Sequence, residues 1–329
     1  MSDRTRDRDR RPPVPAGFDT WSHGDHPAAT RIAKGLVVPA ARPGFALSPT
    51  AKLFVIGPWF AREMEAALVG SGVQIGSRDP RSTLAELRSN PSKGLLNKYN
   101  PAAIRQEIDW AAGKEHFPRE FFVPFGANHL DPSLSERAAP GDIDAVAGRR
   151  EAITDYFAQA FKADLVVIVV GTTETWFDRR TRLALNGPPL RFLYRADPER
   201  FRFRPLRQEE VLAHLRAVCT VLRDQNRKQK IVLAVSPVPI ERTYGPEDII
   251  VANQMAKSVL HSAVTEVAAS TPSVDYFPCF EAVTTSDSSR AWHDNRRTVR
   301  PEMMRAVIDA FRERYGLILN AGSPTAGRA

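Results

Sequence analysis

Four short segments carry the side chains with chemistry to offer. Three of them directly follow apolar runs. Gly57-Pro58-Trp59-Phe60-Ala61-Arg62-Glu63 comes after Leu53 to Ile56, Gly171-Thr172-Thr173-Glu174-Thr175-Trp176 after Leu165 to Val170, and Ser236-Pro237-Val238-Pro239 after Ile231 to Val235. The fourth, Trp292-His293-Asp294-Asn295-Arg296-Arg297, precedes the last helical stretch. A strand-to-helix turn like the first is where enzymes seat a nucleophile or cradle an anion. Pro58 brings neither a nucleophilic atom nor a backbone N–H, and its plain reading is a helix start, where proline is well accommodated at the first helical position. In the second segment Glu174 can accept hydrogen bonds from hydroxyls and Trp176 can stack on a sugar ring, with Thr172 and Thr173 toward the same ligand. Equally, Glu174 can cap a neighbouring loop and Trp176 can form the edge of the core. Ser236 stands where a nucleophile could stand, yet no histidine is fixed beside it by sequence, and a rigid Pro-bounded turn explains the segment. His293 and Asp294 both titrate, but adjacency in a loop does not put them in one site. The sequence has no HExxH, no CxxC pair and no Walker loop, so no metal and no cofactor is expected.

The elements that must position these segments alternate in type. Between the apolar runs lie helical stripes: Phe60, Met64, Ala67 and Leu68; Ile153, Tyr156, Phe157, Ala160 and Phe161; Val211, Leu212, Leu215, Val218, Cys219 and Leu222. Met255 with Val259, Leu260, Ala263, Val264 and Val267 gives another, and Met304, Val307, Ile308, Phe311 and Tyr315 close the series. Val274 to Phe277 reads as a further strand. Apolar runs without alternation are strands covered on both faces, and helices between them imply parallel pairing. The expected fold is a three-layer α/β/α sandwich with a mostly parallel sheet of flavodoxin-like order, in which Leu53–Ile56, Leu165–Val170 and Ile231–Val235 are adjacent and central. Ligands in such sheets sit beyond the carboxyl ends of the strands. The stretch from Arg78 to Ile143 is irregular, with one helix around Ala102 to Ala112 and the remainder forming a cap over that edge. Residues 1–48, mixed in charge and rich in proline, read as a disordered or draped leader, 49–318 as the domain and 319–329 as a tail.

Composition narrows the classes. The 329 residues are 43% hydrophobic and 26% charged, an ordinary globular balance. Two cysteines cannot make a disulfide framework, which points to a reducing compartment and a cytoplasmic location. Leu165 to Val170 is far shorter than the ~20 residues a membrane span needs, and the first thirty residues hold no apolar signal region. No internal repeat is visible. Lysine and arginine exceed the acids by eight, but the charge reads as scattered and interleaved with acids, as in Asp3 to Arg11. No nucleic-acid-binding signature is present, so a specific nucleic-acid partner is not expected, and the charge reads either as a solvated basic surface or as affinity for acidic sugars or phosphates.

Taken in order, the segments resemble the GSCFA domain family, a branch related to the SGNH (GDSL-like) esterases and acyltransferases. The name motif corresponds to Gly57-Pro58-Trp59-Phe60-Ala61, an Asn-rich block to Asn97-Lys98-Tyr99-Asn100, and a Gly-Thr-Thr-Glu-x-Trp block to Gly171 through Trp176. Ser236-Pro237-Val238-Pro239, Ala256-Lys257-Ser258-Val259-Leu260 and Tyr276-Phe277-Pro278-Cys279-Phe280-Glu281 match in spacing and type, so the resemblance spans about Ala51 to Tyr315. It implies an SGNH-like fold and an ancestral acyl hydrolysis or transfer on glycans. It also exposes two departures. The family nucleophile position is Pro58, which lacks the hydroxyl and the oxyanion-binding N–H together. The family histidine position, within Asp294-Asn295-Arg296-Arg297, is Arg297, which cannot act as a general base near neutral pH. The resemblance therefore implies a degenerate, ligand-binding member whose cleft is lined by Asn97, Asn100, Thr173, Glu174, Trp176 and Arg297, for a small molecule or glycan. The alternatives are an esterase or O-acyltransferase using Ser236 with His293 and Asp294, and a basic module for an anionic polymer.

Overall fold

The computed structural model describes residues 20–22, 27–40, 43–78, 94–134 and 140–317. The tail expected at 319–329 lies outside these residues, as do parts of the leader and 79–93 and 135–139 of the irregular stretch. Along the chain the elements are α1 (Ala28–Ile32), β1 (Lys52–Ile56), α2 (Trp59–Gly70), β2 (Gln74–Ile75), α3 (Pro101–Ala111), β3 (Val123–Phe125), β4 (Asn128–Leu130), α4 (Ile143–Ala158) and β5 (Leu165–Val170). Then follow β6 (Glu174–Asp178), β7 (Ala184–Leu185), α5 (Arg191–Ala196), β8 (Phe201–Pro205), α6 (Gln208–Gln225), β9 (Lys230–Val235), α7 (Ile249–Ser270), β10 (Val274–Tyr276), α8 (Cys279–Thr285), α9 (Ser288–Ala291) and α10 (Pro301–Tyr315).

The main sheet has five strands in the order β2-β1-β5-β9-β10, all parallel, which is the flavodoxin-like order. β1, β5 and β9 are adjacent and central, in register through Ile56 opposite Ile168 and Val170 opposite Val235. Their unbroken apolar character has the expected cause. Phe54, Ile56, Val166, Ile168, Ile231 and Leu233 face one helical layer, built from α3, α4, α6 and α7. Leu53, Val55, Val167, Val169, Val232 and Ala234 face the other, built from α2, α8 and α10. Every residue of β5 is buried, because it is covered on both faces and flanked on both edges.

A second, antiparallel sheet, β7-β6-β8, branches off after β5. Its first strand contains the segment read from sequence as a loop. Thr175, Trp176 and Phe177 favour extended backbone, but the strand is only five residues long and half-buried, so its pattern is weak. Described residues ahead of β1 pack onto the second layer. Leu36, Val38, Phe45 and Leu47 lie against it, Phe45 stacks on Tyr315 at 5.4 Å, and Val37 N–H donates to Ser286 Oγ.

Between the two sheets, residues 97–100 run as a strap over the carboxyl ends of β1 and β5. Lys98 N–H donates to Gly57 O, and Tyr99 O accepts from the N–H groups of both Gly171 and Thr172. The strap is anchored from below by buried charges. The Lys98 ammonium pairs with Glu107, Glu107 also takes the Arg150 guanidinium, and Arg150 reaches Asp131 at 3.7 Å. Burial pushes the Glu107 carboxyl up, but Arg150 and Lys98 outweigh it and hold it below its usual range. Removing one member of such a set leaves a buried charge uncompensated, at a cost of about 3–5 kcal/mol. Glu107→Gln should lose stability on that scale in urea denaturation, whereas Glu302→Gln, on an exposed pair with Arg290, should change it by no more than about 1 kcal/mol.

Candidate site at the carboxyl edge of the sheet

The turn after β1 is fixed by geometry. Gly57 has φ +153°, and a Cβ placed there would lie 2.6 Å from Val169 O and 2.9 Å from the Ala61 Cβ. Pro58 stands one residue earlier than a first helical position: it is the N-cap of α2, and its carbonyl accepts the Ala61 N–H at 2.9 Å. The Pro58 ring fills the space beside Gly171, whose own Cβ would come within 3.3 Å of it and 3.1 Å of Tyr99 O. The strap, the β1 turn and the β5 exit are thus in mutual contact.

Asn97 and Asn100 have different fates. Asn97 is buried and its Oδ1 has no hydrogen-bond partner among the described residues, while its carbonyl accepts from Asn186 Nδ2 at 2.7 Å. Asn100 caps α3, its Oδ1 accepting from Ala103 N–H and its Nδ2 donating to Leu185 O. Both ends of the Asn100 amide are therefore occupied, and the expected ligand contact gives way to a structural one. Thr173 is also buried, and its carbonyl accepts the Leu206 N–H.

Glu174 begins β6 and meets the loop after β9, where Thr243 Oγ1 and the Tyr244 N–H donate to its carboxylate. Burial raises the Glu174 carboxyl against those two donors. Trp176, two residues on, is enclosed by Tyr194, Phe203 and Tyr244 with ring centroids 5.2–5.5 Å away, and its indole N–H has no partner. Arg297 approaches the same loop from the other side, 3.8 Å from Glu241.

The fallback nucleophile is not assembled. Ser236 is 1% exposed, its N–H closes onto Val170 O, and no hydrogen bond joins it to His293. His293 instead lies near Glu63 on α2, whose carboxyl also takes the Trp59 indole N–H at 2.8 Å and is raised by burial. Asp294 projects into solvent and approaches Arg300 at 3.6 Å. Glu63 and Arg300 are residues that the sequence reading passed over. The i,i+4 spacing of Trp59 and Glu63 was the available signal. His293, Asp294, Asn295, Thr298 and Arg300 line an open depression of about 500 Å³. Among the described residues no three His, Cys, Asp or Glu side chains converge as a metal site, and no helix is long and apolar enough to cross a membrane.

A family model, the GSCFA family, matches residues 52–311, which takes in every element just described from β1 to most of α10. The chain belongs to the GSCFA family. Among solved structures, this GSCFA protein is similar to a family 3 carbohydrate esterase of Clostridium thermocellum, with a TM-score of 0.30 and 10% identity over 80% of this chain and 94% of that one. It is also similar to a mutant of Axe2, an acetyl-xylooligosaccharide esterase from Geobacillus Stearmophilus, with a TM-score of 0.31 and 14% identity over 81% and 94%. No curated protein matches the sequence.

Beneath the site lies Lys257 of α7, fully buried, its ammonium donating to Gly171 O at 2.6 Å. Burial lowers it to about 7. The unfolded chain would hold this proton up to about pH 10.4. Between those two values the unfolded state binds more protons, so stability rises with pH, and below pH 7 the full penalty remains. Lys257→Met should flatten that rise in urea titrations from pH 7 to 10. Near pH 7 it should also stabilise the fold by a few kcal/mol, less about 1–3 kcal/mol for leaving the buried Gly171 carbonyl unpaired.

Proposed function

We propose that this GSCFA protein binds a glycan in the carboxyl-edge cleft without serine ester chemistry. The observation that carries the reading is Pro58. The turn after β1 offers neither Oγ nor N–H at the position the resemblance gives to the nucleophile. Arg297 at the family histidine position is permanently charged and leans on Glu241, so it supplies no base. Asn97, with its unspent Oδ1, Glu174 and Arg297 are the polar groups we assign to the ligand. Arg297 favours one that bears a carboxylate or phosphate. The aromatic enclosure of Trp176 favours a rim contact over a stacking platform deep in the cleft. The two free, buried cysteines support a reducing, cytoplasmic setting.

Hydrolysis of p-nitrophenyl acetate should be indistinguishable from buffer for the wild-type chain and for Ser236→Ala and His293→Ala. Wild-type turnover abolished by Ser236→Ala would replace the binding reading with a rearranged enzyme. Catalytic groups act as a unit, so neither Pro58→Ser nor Arg297→His alone should gain activity, and the double variant is the one in which hydrolysis should first emerge. Binding is checked separately by thermal shift with acetylated and acidic sugars. A saturating ligand at 100 times its Kd stabilises the fold by about 2.7 kcal/mol, and Glu174→Gln should reduce that shift.

A further inference from the structure

Residues 179–207, the excursion carrying β7, α5 and β8, contain nine arginines against two acidic residues, which accounts for most of the chain's net charge of +8. The charge is therefore concentrated, which corrects the scattered distribution read along the sequence. Five of the nine are already spent: Arg179 pairs with Glu199, Arg180 with Asp197, Arg200 with Asp178, Arg204 with Glu210 and Arg207 with Glu209. Arg191 and Arg195 are exposed, one turn apart on α5, and neither has an ion pair among the described residues. Tyr194, three residues from Arg191, is exposed on the same helix and packs edge-on against Trp176 at 5.5 Å. Trp176 in turn meets exposed Tyr244 at 5.2 Å, and Tyr244 donates its N–H to Glu174. A strip of amphipathic rings thus runs from the cleft carboxylate to the Arg191 and Arg195 guanidinium groups.

We propose that this strip docks an acidic polysaccharide, with sugar rings on Tyr244 and Tyr194, which Trp176 holds at their spacing from between them, and uronate carboxylates on Arg191 and Arg195. Tyrosine presents an apolar face with a polar tip, which suits a ring bearing hydroxyls, and both Tyr194 and Tyr244 are exposed. Guanidinium groups bind carboxylates in a bidentate manner. The sparse charge favours a glycan over a nucleic acid. A single strand carries a phosphate about every 3.4 Å and draws its affinity from many cationic contacts, whereas here two cations serve the aromatic face and Glu174 closes its inner end. Arg182 and Arg202 are exposed too, but Arg182 lies in the turn between β6 and β7, and Arg202 pairs across the sheet with Phe177, on the opposite face from Trp176. The proposal rests on the reading of the cleft as a glycan site for what continues inward from the strip, and on its own residues for binding.

The test is calorimetric titration of the full chain with size-defined oligogalacturonate, neutral xylohexaose and poly(U), at 50 and 200 mM NaCl. Arg191→Gln with Arg195→Gln, both without an ion pair among the described residues, should leave the thermal midpoint unchanged. This double variant should weaken oligogalacturonate about tenfold, reduce its salt dependence and spare xylohexaose. Tyr194→Ala should weaken both oligosaccharides. Unchanged oligogalacturonate affinity in the double arginine variant overturns the proposal, and so does poly(U) binding more tightly than oligogalacturonate with the same sensitivity to that variant. Glu174→Gln separates the two readings: oligogalacturonate binding that survives it but fails in the double arginine variant upholds the strip and removes the cleft.

Discussion

The Lys98 ammonium, sunk between Glu107 and the ring of Phe157, is the tie on which the carboxyl edge depends. An ammonium taken out of water is tolerated only where a counter-charge stands against it, and Glu107 is itself tolerable because Arg150 shares it. These three side chains come from the strap, α3 and α4, so the cluster welds two helices to four residues of otherwise irregular backbone. The strap returns the connection to the sheet by closing onto Gly57 and Gly171. Asn186 completes it from the second sheet, donating to Asn97 O and accepting the Tyr99 N–H. Segments more than a hundred residues apart in sequence are thereby held in one rigid arrangement.

That arrangement is indifferent to the chemistry of residue 58. The turn needs a residue without a Cβ at 57 and close approach at 171, and both demands are met by glycine. Position 58 needs only an extended backbone, which proline adopts at φ −77°. A hydroxyl and an N–H can therefore be exchanged for a pyrrolidine ring with no cost to the architecture, since the ring packs beside Gly171. A fold persists under such exchanges because function resides in a few side chains mounted on it.

The central sheet was legible because β1, β5 and β9 are covered twice over, so burial alone dictates their composition. The antiparallel excursion was not, since its strands are short and half-wet and read like loops. The cap at Asn100 was legible in principle: Asn-Pro before an apolar helical stripe is a capping residue followed by proline at the first helical position. The concentration of arginine from 179 to 207 could likewise be counted in the sequence, but its division into spent and unspent charge required the partners to be seen. Lys257 was beyond sequence reasoning, because its acceptor lies 86 residues away. The approach of His293 to Glu63 was hidden for the same reason.

Lys257 shows why a destabilising group can be structurally required at a sheet end. β5 stops at Val170 and the chain then leaves the sheet, so the Gly171 carbonyl has no neighbouring strand to pair with. An unpaired buried carbonyl costs about 1–3 kcal/mol, and among the described residues no backbone N–H donates to it. The Lys257 amine supplies one in either protonation state. The peptide it polarises also presents the Thr172 N–H to Tyr99 O, so the lysine, the β5 exit and the strap form one hydrogen-bonded chain in a dry interior, where such bonds reinforce each other. The edge is thus rigid beneath Pro58 because a cation below and an ion cluster beside it hold the same four residues of strap.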